Sequence, residues 1–209
     1  MPFSHLVSVF FVKEIAMKAA NILLASLFIP AGAGLVSLAG CGSEPNTPVE
    51  QKQLVNDSGA SLKDMELADG TLKNKVASAY AYAIFPSVGK GGAGVEVATG
   101  NGDVYEQGHY IGQARLTMIG AGIDLGAQTY SELILFQDKA ALDKFENNNL
   151  RFDASTSAVA LKAGAADTAA FANGVLVLQD VHGGAMIEAN LGGQQFTFKA
   201  ANPAPATQP

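Results

Sequence analysis

The residue types that could do chemistry in this chain start with a glycine cluster. Gly89-Lys90-Gly91-Gly92-Ala93-Gly94 fits G-x-G-x-x-G and follows an apolar run, the arrangement of a dinucleotide-binding turn. That chemistry needs a helix immediately afterwards, because its first amides hold the pyrophosphate. Val95-Glu96-Val97 continues as strand instead, and no acidic residue stands near position 114. No Gly-Lys-Ser/Thr phosphate loop occurs either. The alternating glycines are better read as positions where another layer approaches the backbone, or where a curved sheet coils tightly.

Acid–base and nucleophilic residues are sparse. There is no G-x-S-x-G elbow, and His109 and His182 stand apart in the sequence as loop or surface residues. Asp124 lies on the glycine-lined face of an apolar strand, where burial would require hydrogen-bond partners. Glu96 is the one acid on the equivalent face that could pair with it. The bland alternatives are a turn-binding carboxylate and a solvated strand face. With 1 cysteine and 3 scattered histidines, neither a disulfide nor a thiol- or imidazole-based metal site is expected. No cofactor is expected, and no enzymatic activity.

The cysteine has a chemistry of its own. Leu38-Ala39-Gly40-Cys41 follows the apolar run Ile22 to Ile29 and the positive Lys18. Small residues before a cleavage point mark a secretory signal. A cysteine directly after them resembles the bacterial lipobox, whose thiol receives diacylglycerol; a thiolate is the nucleophile that such alkylation needs. Cys41 is therefore the expected lipid-attachment residue. A membrane-spanning segment or a buried structural cysteine are the alternatives, although Ile22 to Leu38 is at the short end of a span and is broken by proline and glycine. Met17 reads as a more natural start than Met1, since Met17-Lys18 gives a compact signal. By resemblance to envelope sorting systems, Gly42 after the cysteine favours the outer membrane over the inner, with the domain in the periplasm.

The elements that must position these residues follow from composition and period. Of 209 residues 48% are apolar, 23 are glycine and none is tryptophan, so a core is expected in which small residues dominate packing. A formal charge of −6 argues against nucleic acid as a partner. Residues 1–40 read as signal peptide, 41–48 as lipidated tether, 49–199 as one domain and 200–209 as disordered tail. Thr47, Pro48 and Glu50 form a capping-box pattern that opens a helix through about Leu67 with Leu54, Val55, Leu62 and Met65 on its apolar side; Gly59 weakens it. A second helix covers Thr71 to Ala79.

Strands are expected over Tyr80 to Phe85, stopped by Pro86; over Gly91 to Gly100, turning at Asn101-Gly102; over Asp103 to Tyr110; and over Leu116 to Phe136. Asp138 caps a short helix to Glu146. Ala154 to Leu161, Gly174 to Leu178 and a closing hairpin of Gly184 to Leu191 and Gln194 to Lys199 complete the sheet. Gly91 to Val97 is echoed by Gly183 to Ala189, either as a second hairpin unit or by chance. The expected class is α+β: two N-terminal helices, then a glycine-rich, mostly antiparallel twisted sheet (a sandwich or partly closed barrel) with one inserted short helix.

In order and spacing, Ala83 to Val88, Gly91 to Gly94, Gly122 to Gln128, Leu133 to Phe136 and Ala140 to Phe145 resemble the SYLF domain family, from about Leu54 to Phe198. The resemblance implies a lipid-binding domain. In eukaryotic members it engages phosphoinositides, partly through an N-terminal amphipathic helix, and in some cases actin; bacterial members are secreted or lipoprotein-anchored. It brings no catalytic residues. The first helix here departs from that pattern: Lys52 and Lys63 are outnumbered by Glu50, Asp57, Asp64 and Glu66. Lys73, Lys75 and Lys90 are the candidate lipid-binding residues, as a small basic patch beside the glycine turn, with ordinary surface lysines as the alternative. The expected partner is membrane lipid, with another envelope protein as the competing reading. Replacing Cys41→Ser should abolish diacylglycerol addition, read as the loss of the acyl mass from the membrane-extracted protein; an unchanged acylated mass would refute the lipobox.

Overall fold

The computed structural model describes residues 43–152, 158–183 and 193–201. The signal segment, Cys41, the side chain of Asp124, the hairpin arm from Gly184 to Leu191 (and with it the sequence echo) and the tail from Pro203 lie outside the described residues. The fold is α+β. Helices α1 (Pro48–Ala68) and α2 (Leu72–Ser78) precede strands β1 (Ala81–Glu106) and β2 (His109–Phe136). Then come α3 (Lys139–Glu146), β3 (Val159–Ala160), α4 (Ala165–Thr168), β4 (Val175–Gly183) and β5 (Gln194–Ala200).

Helix α1 begins where its caps dictate. Thr47 Oγ1 accepts from Glu50 N at 3.2 Å and Glu50 Oε2 accepts from Thr47 N at 3.0 Å, which satisfies two otherwise orphaned amides. Its buried side is not the expected aliphatic one. Ser58, Ser61 and Met65 face the sheet, while Val49, Val55 and Leu67 are exposed. Asp138 caps α3 as expected, accepting from Ala141 N at 2.9 Å. The four-residue α4 has no sequence counterpart; it is held by Asp69, which accepts from Gly164 N, Ala166 N and both donors of Thr71. Burial pushes the Asp69 carboxyl up, but these four hydrogen bonds outweigh it and hold the group at about 2.

Two expectations about β1 fail for related reasons. Pro86 does not stop the strand; it sits at a register shift between Phe85 and Val88. β1 ends the strand order β1-β2-β4-β3, so the missing amide costs no ladder bond there. Asn101-Gly102 is not a turn but mid-strand, paired with Arg115 and Ala114. The chain turns at Gln107-Gly108, both with positive φ (48° and 80°), between the paired Glu106 and His109. Gly102 is needed for another purpose. An added Cβ would stand 2.5 Å from the Ile84 carbonyl oxygen and 2.7 Å from Phe85 Cδ1. A Cβ at Gly100 would stand 2.9 Å from the Ser87 carbonyl oxygen. The long β1–β2 hairpin therefore folds back so that its two halves lie in contact, and Gln107 N donates to Tyr80 O at 3.1 Å where the turn meets the start of β1.

This folding defines the sheet. β2 is the central strand: β4 pairs with its second half, from Thr129 to Phe136, and β5 with its first, from Gly112 to Met118. All pairings are antiparallel except β3 with β4, where the expected strand Ala154 to Leu161 is reduced to Val159–Ala160 among the described residues. Between the halves lies a core of Phe85, Val88, Leu116, Tyr130, Ile134, Phe136 and Phe196, closed by Leu142 and Phe145 of α3. A second cluster, Met65, Leu72, Ile84, Leu133, Leu135, Ala166 and Leu178, packs α1, α2 and α4 on the outer face of the β2–β4 half. The dinucleotide-like glycines lie within β1, and strand follows them. Gly102→Ala should destabilise the fold by roughly 2 kcal/mol or more through overpacking, whereas Gly59→Ala, whose Cβ meets nothing within 4 Å, should stabilise it by about 0.5–1 kcal/mol. Denaturant midpoints of the two variants check both signs.

Candidate functional site

With α1, α2 and α4 covering one half of the hairpin, the outer face of the other half is left largely open. Register and the two-residue side-chain period place its residues in rows across β1, β2 and β5. Thr99, Thr117 and Gln195 form one row, Asn101, Arg115 and Thr197 the next, and Asp103, Gln113 and Lys199 a third. On the other side of Thr99 the same face continues as Val97 opposite Ile119, then Val95. These three side chains are 48%, 67% and 58% exposed. One face is thus polar and cationic at one end and aliphatic at the other.

The polar end is hollow. A cleft of about 260 Å³ lies over it, walled by Glu44 and Pro45 and floored by Asn101, Gln113, Arg115 and Lys199. The residues after the tether are pinned to its edge: Asn101 Nδ2 donates to Ser43 O at 3.3 Å, and Arg115 Nη1 donates to Asn101 Oδ1 at 3.4 Å. Gln113 Nε2 is buried and closes no hydrogen bond. Asp103, at the end of the last row, is fully buried beneath α1. Burial pushes its carboxyl up to about 6; the nearby Ser58 hydroxyl and Gln113 amide offset this only in part, and neither closes a hydrogen bond on it.

A separate buried polar group sits between the two halves. Glu132, fully enclosed, accepts from Gln179 Nε2 at 2.6 Å and from Gln194 Nε2 at 3.1 Å, so it links β2, β4 and β5. Burial pushes it up to about 7, with the two amides offsetting part of the rise. Its other oxygen, Oε1, has no partner.

The lysines singled out in the sequence stand in three different settings. Lys75 donates to Ala169 O at 2.8 Å and lies over the Phe171 ring, bracing α2 against the chain after α4. Lys90 pairs with Glu96 at 3.2 Å, which also engages the acid considered as a partner for Asp124. Lys73 is exposed and lines a second cleft, of about 560 Å³, with Leu62, Glu66, Tyr80 and Tyr82. His109 is an exposed residue at the hairpin turn. His182, isolated in the sequence, is brought by β4 to Ser131, Nε2 to Oγ 2.6 Å. A serine beside an imidazole is a nucleophile–base geometry, but Ser131 is fully buried and its Oγ also meets Ser61 and the Pro86 carbonyl. Those contacts lock α1 to the sheet. Among the described residues no cluster of His, Cys, Asp or Glu is arranged to hold a metal, and no helix is long and apolar enough to cross a membrane.

No family model matches the chain. Over 127 residues it is 30% identical to Beta cell expansion factor A of Aeromonas veronii, an alignment covering 56% of this chain and 45% of that protein. The match thus spans less than half the length of that relative.

The buried acids generate a prediction. The folded pKa of Glu132, about 7, lies above the unfolded value near 4.3, and Asp103, about 6, lies above 3.9. The native state therefore holds protons that the unfolded chain releases, so stability falls as pH rises from about 4.5 through 7. Glu132→Gln should flatten that slope and raise stability at pH 8 by on the order of 2 kcal/mol. Urea midpoints measured from pH 4.5 to 8 would show it, and an unchanged slope would refute the assignment.

Proposed function

We propose that this chain is a lipid-anchored protein of the bacterial outer membrane, facing the periplasm, whose SYLF-like domain rests on a membrane surface. One observation carries the reading: Val95, Val97 and Ile119 form a contiguous exposed aliphatic strip on the same sheet face as Arg115 and Lys199. Aliphatic side chains at one end enter the acyl boundary, and the cations at the other meet headgroup oxygens. With a formal charge of −6 the chain as a whole is not drawn to anionic lipid, so apolar burial has to supply the attraction.

The tether supports the same orientation. Ser43 is bonded to Asn101 on this face, and Cys41 precedes it by two residues. An acyl group on Cys41 would enter the bilayer within roughly 10 Å of Ser43. The diacylglycerol on Cys41 would already anchor the chain stably, so the strip on the domain would serve to set which face turns to the bilayer rather than to hold it there. The motifs whose order and spacing resemble the SYLF family, from about Leu54 to Phe198, are in keeping with a lipid-binding module.

Flotation of the unacylated Cys41→Ser chain with phosphatidylcholine vesicles tests the reading. The protein should float, and the pair Val97→Asp and Ile119→Asp should lower the bound fraction at least tenfold with its circular dichroism unchanged, because two exposed aliphatic contacts are lost. Absence of flotation on neutral and anionic vesicles alike would overturn it in favour of an envelope-protein partner.

A further inference from the structure

We propose that the N-terminal part of α1, from Pro48 to Ser61, is a latch over Asp103 that is held down while this carboxyl carries its proton and lifts when the proton leaves. The latch needs neither a ligand nor a membrane to operate.

The fold places this acid where a charge is poorly served. Asp103 is fully buried beneath α1, and among the described residues neither of its oxygens closes a hydrogen bond. Ser58 of α1 and Gln113 of β2 lie against it and offset only part of the burial that pushes the carboxyl up to about 6. Tyr82 and Tyr105 of β1 and Tyr110 of β2 also feel its charge. Burial raises all three phenols, Asp103 adds to the rise, and Tyr105 and Tyr110 are pushed up to about 12. Glu66 of α1 acts in the same direction on Tyr82. These hydroxyls therefore stay protonated throughout the range in which Asp103 titrates. Arg115 stands one row away and Lys199 one strand beyond Gln113, but neither cation offsets the burial of the acid. A carboxylate formed here regains solvation if the strands part or if the helix above it moves away.

Moving the helix disturbs less. β1 is paired with β2 along its length, whereas the buried side chains of α1 are Ser58, Ser61 and Met65. Ser58 Oγ closes no hydrogen bond among the described residues. Ser61 Oγ donates to Ser131 Oγ at 2.8 Å, and His182 Nε2 meets the same Ser131 Oγ at 2.6 Å. Val49 and Val55 are exposed. Before α1, the chain is pinned by Asn101 Nδ2 donating to Ser43 O at a long 3.3 Å. The other end is held more firmly. Met65 is fully buried with Leu72, Ile84 and Leu133, and Asp69, held at about 2, keeps its four hydrogen bonds at every pH where Asp103 titrates. The helix thus has a lightly held N-terminal part and a fixed C-terminal end.

Proton binding favours the closed state. Closed, Asp103 titrates at about 6; exposed, it titrates near 3.9. Closure is therefore strongest below about pH 4 and weakens as pH rises through 6. The open fraction should grow about twentyfold between pH 4.5 and 8, with little further change above 7.

Hydrogen–deuterium exchange of the full-length Cys41→Ser chain, read by mass spectrometry and corrected for the intrinsic pH dependence of amide exchange, measures this opening. Protection over residues 48–61 should fall about twentyfold from pH 4.5 to 8 and stay below that of residues 133–136 throughout. Asp103→Asn should flatten the fall. Glu132→Gln, at the acid enclosed between the two halves, should alter the strands and leave the slope over 48–61 as it was, and so should His182→Gln at the contact with Ser131. Should Asp103→Asn not fold, Ser58→Ala replaces it: one of the two groups that favour the carboxylate is lost, so the fall should steepen. Protection over 48–61 equal to that of the strands would overturn the latch, because α1 would then open only with the whole fold. A slope that survives Asp103→Asn, that Ser58→Ala fails to steepen, or that Glu132→Gln or His182→Gln abolishes would overturn it as well.

Discussion

The structure depends on a close approach of backbone to backbone within a single strand. β1 is 26 residues long, and its two halves can be brought into contact only because Gly100 and Gly102 present no side chain to Ser87, Ile84 and Phe85. Protein interiors tolerate no gap or overlap of methyl size without cost, so these two positions decide whether the hairpin stays extended or coils. Once it coils, everything else has a place. The inner faces form one aromatic and aliphatic core, β4 and β5 attach to opposite halves of β2, and the outer face divides into a part covered by helices and a part left open.

Polar groups enter this scheme as joints. Asp69 ties the start of α2 to α4 through four hydrogen bonds and keeps its charge in doing so. Ser61 and Ser131 fasten α1 where aliphatic contacts are few. Glu132 connects the two halves from inside, at the cost of a carboxyl that holds its proton to about neutral pH. Burying acids in a small core is expensive unless they are partnered. Asp69 and Glu132 differ in both partner number and depth: four donors hold the shallower carboxylate charged, and two donors do not offset full enclosure for the deeper one.

Function depends on which surface is left over. Helix α1 packs on the sheet through two serines and a methionine and leaves Val49, Val55 and Leu67 exposed. The surface proposed to meet a membrane is a sheet face whose aliphatic strip and cationic cleft run in series, with the tether pinned alongside. The lysines picked out from the sequence do not define that surface. Lys75 and Lys90 are occupied by internal contacts, and a lysine's availability depends on neighbours that sequence spacing does not reveal.

Local rules were readable wherever one segment contained its own reason. The capping box at Thr47 and Glu50, the Asp138 cap, the strand alternation and the absence of a helix after the glycine cluster all follow from residues within a few positions of one another. The α+β class follows from them too. Asn101-Gly102 misled because a local turn preference of a kcal/mol or so yields to packing when the same glycine is required by a neighbour 17–18 residues away. Likewise the polar alternation at positions 99–103, 113–117 and 195–199 is visible in the sequence, but only pairing through β2 assembles it into one floor. The sequence by itself determined the α+β class, the helix caps and the alternation of the long strands. Tertiary structure decided which faces meet, which acids are enclosed and which surface stays open, since those depend on contacts between residues far apart in the chain.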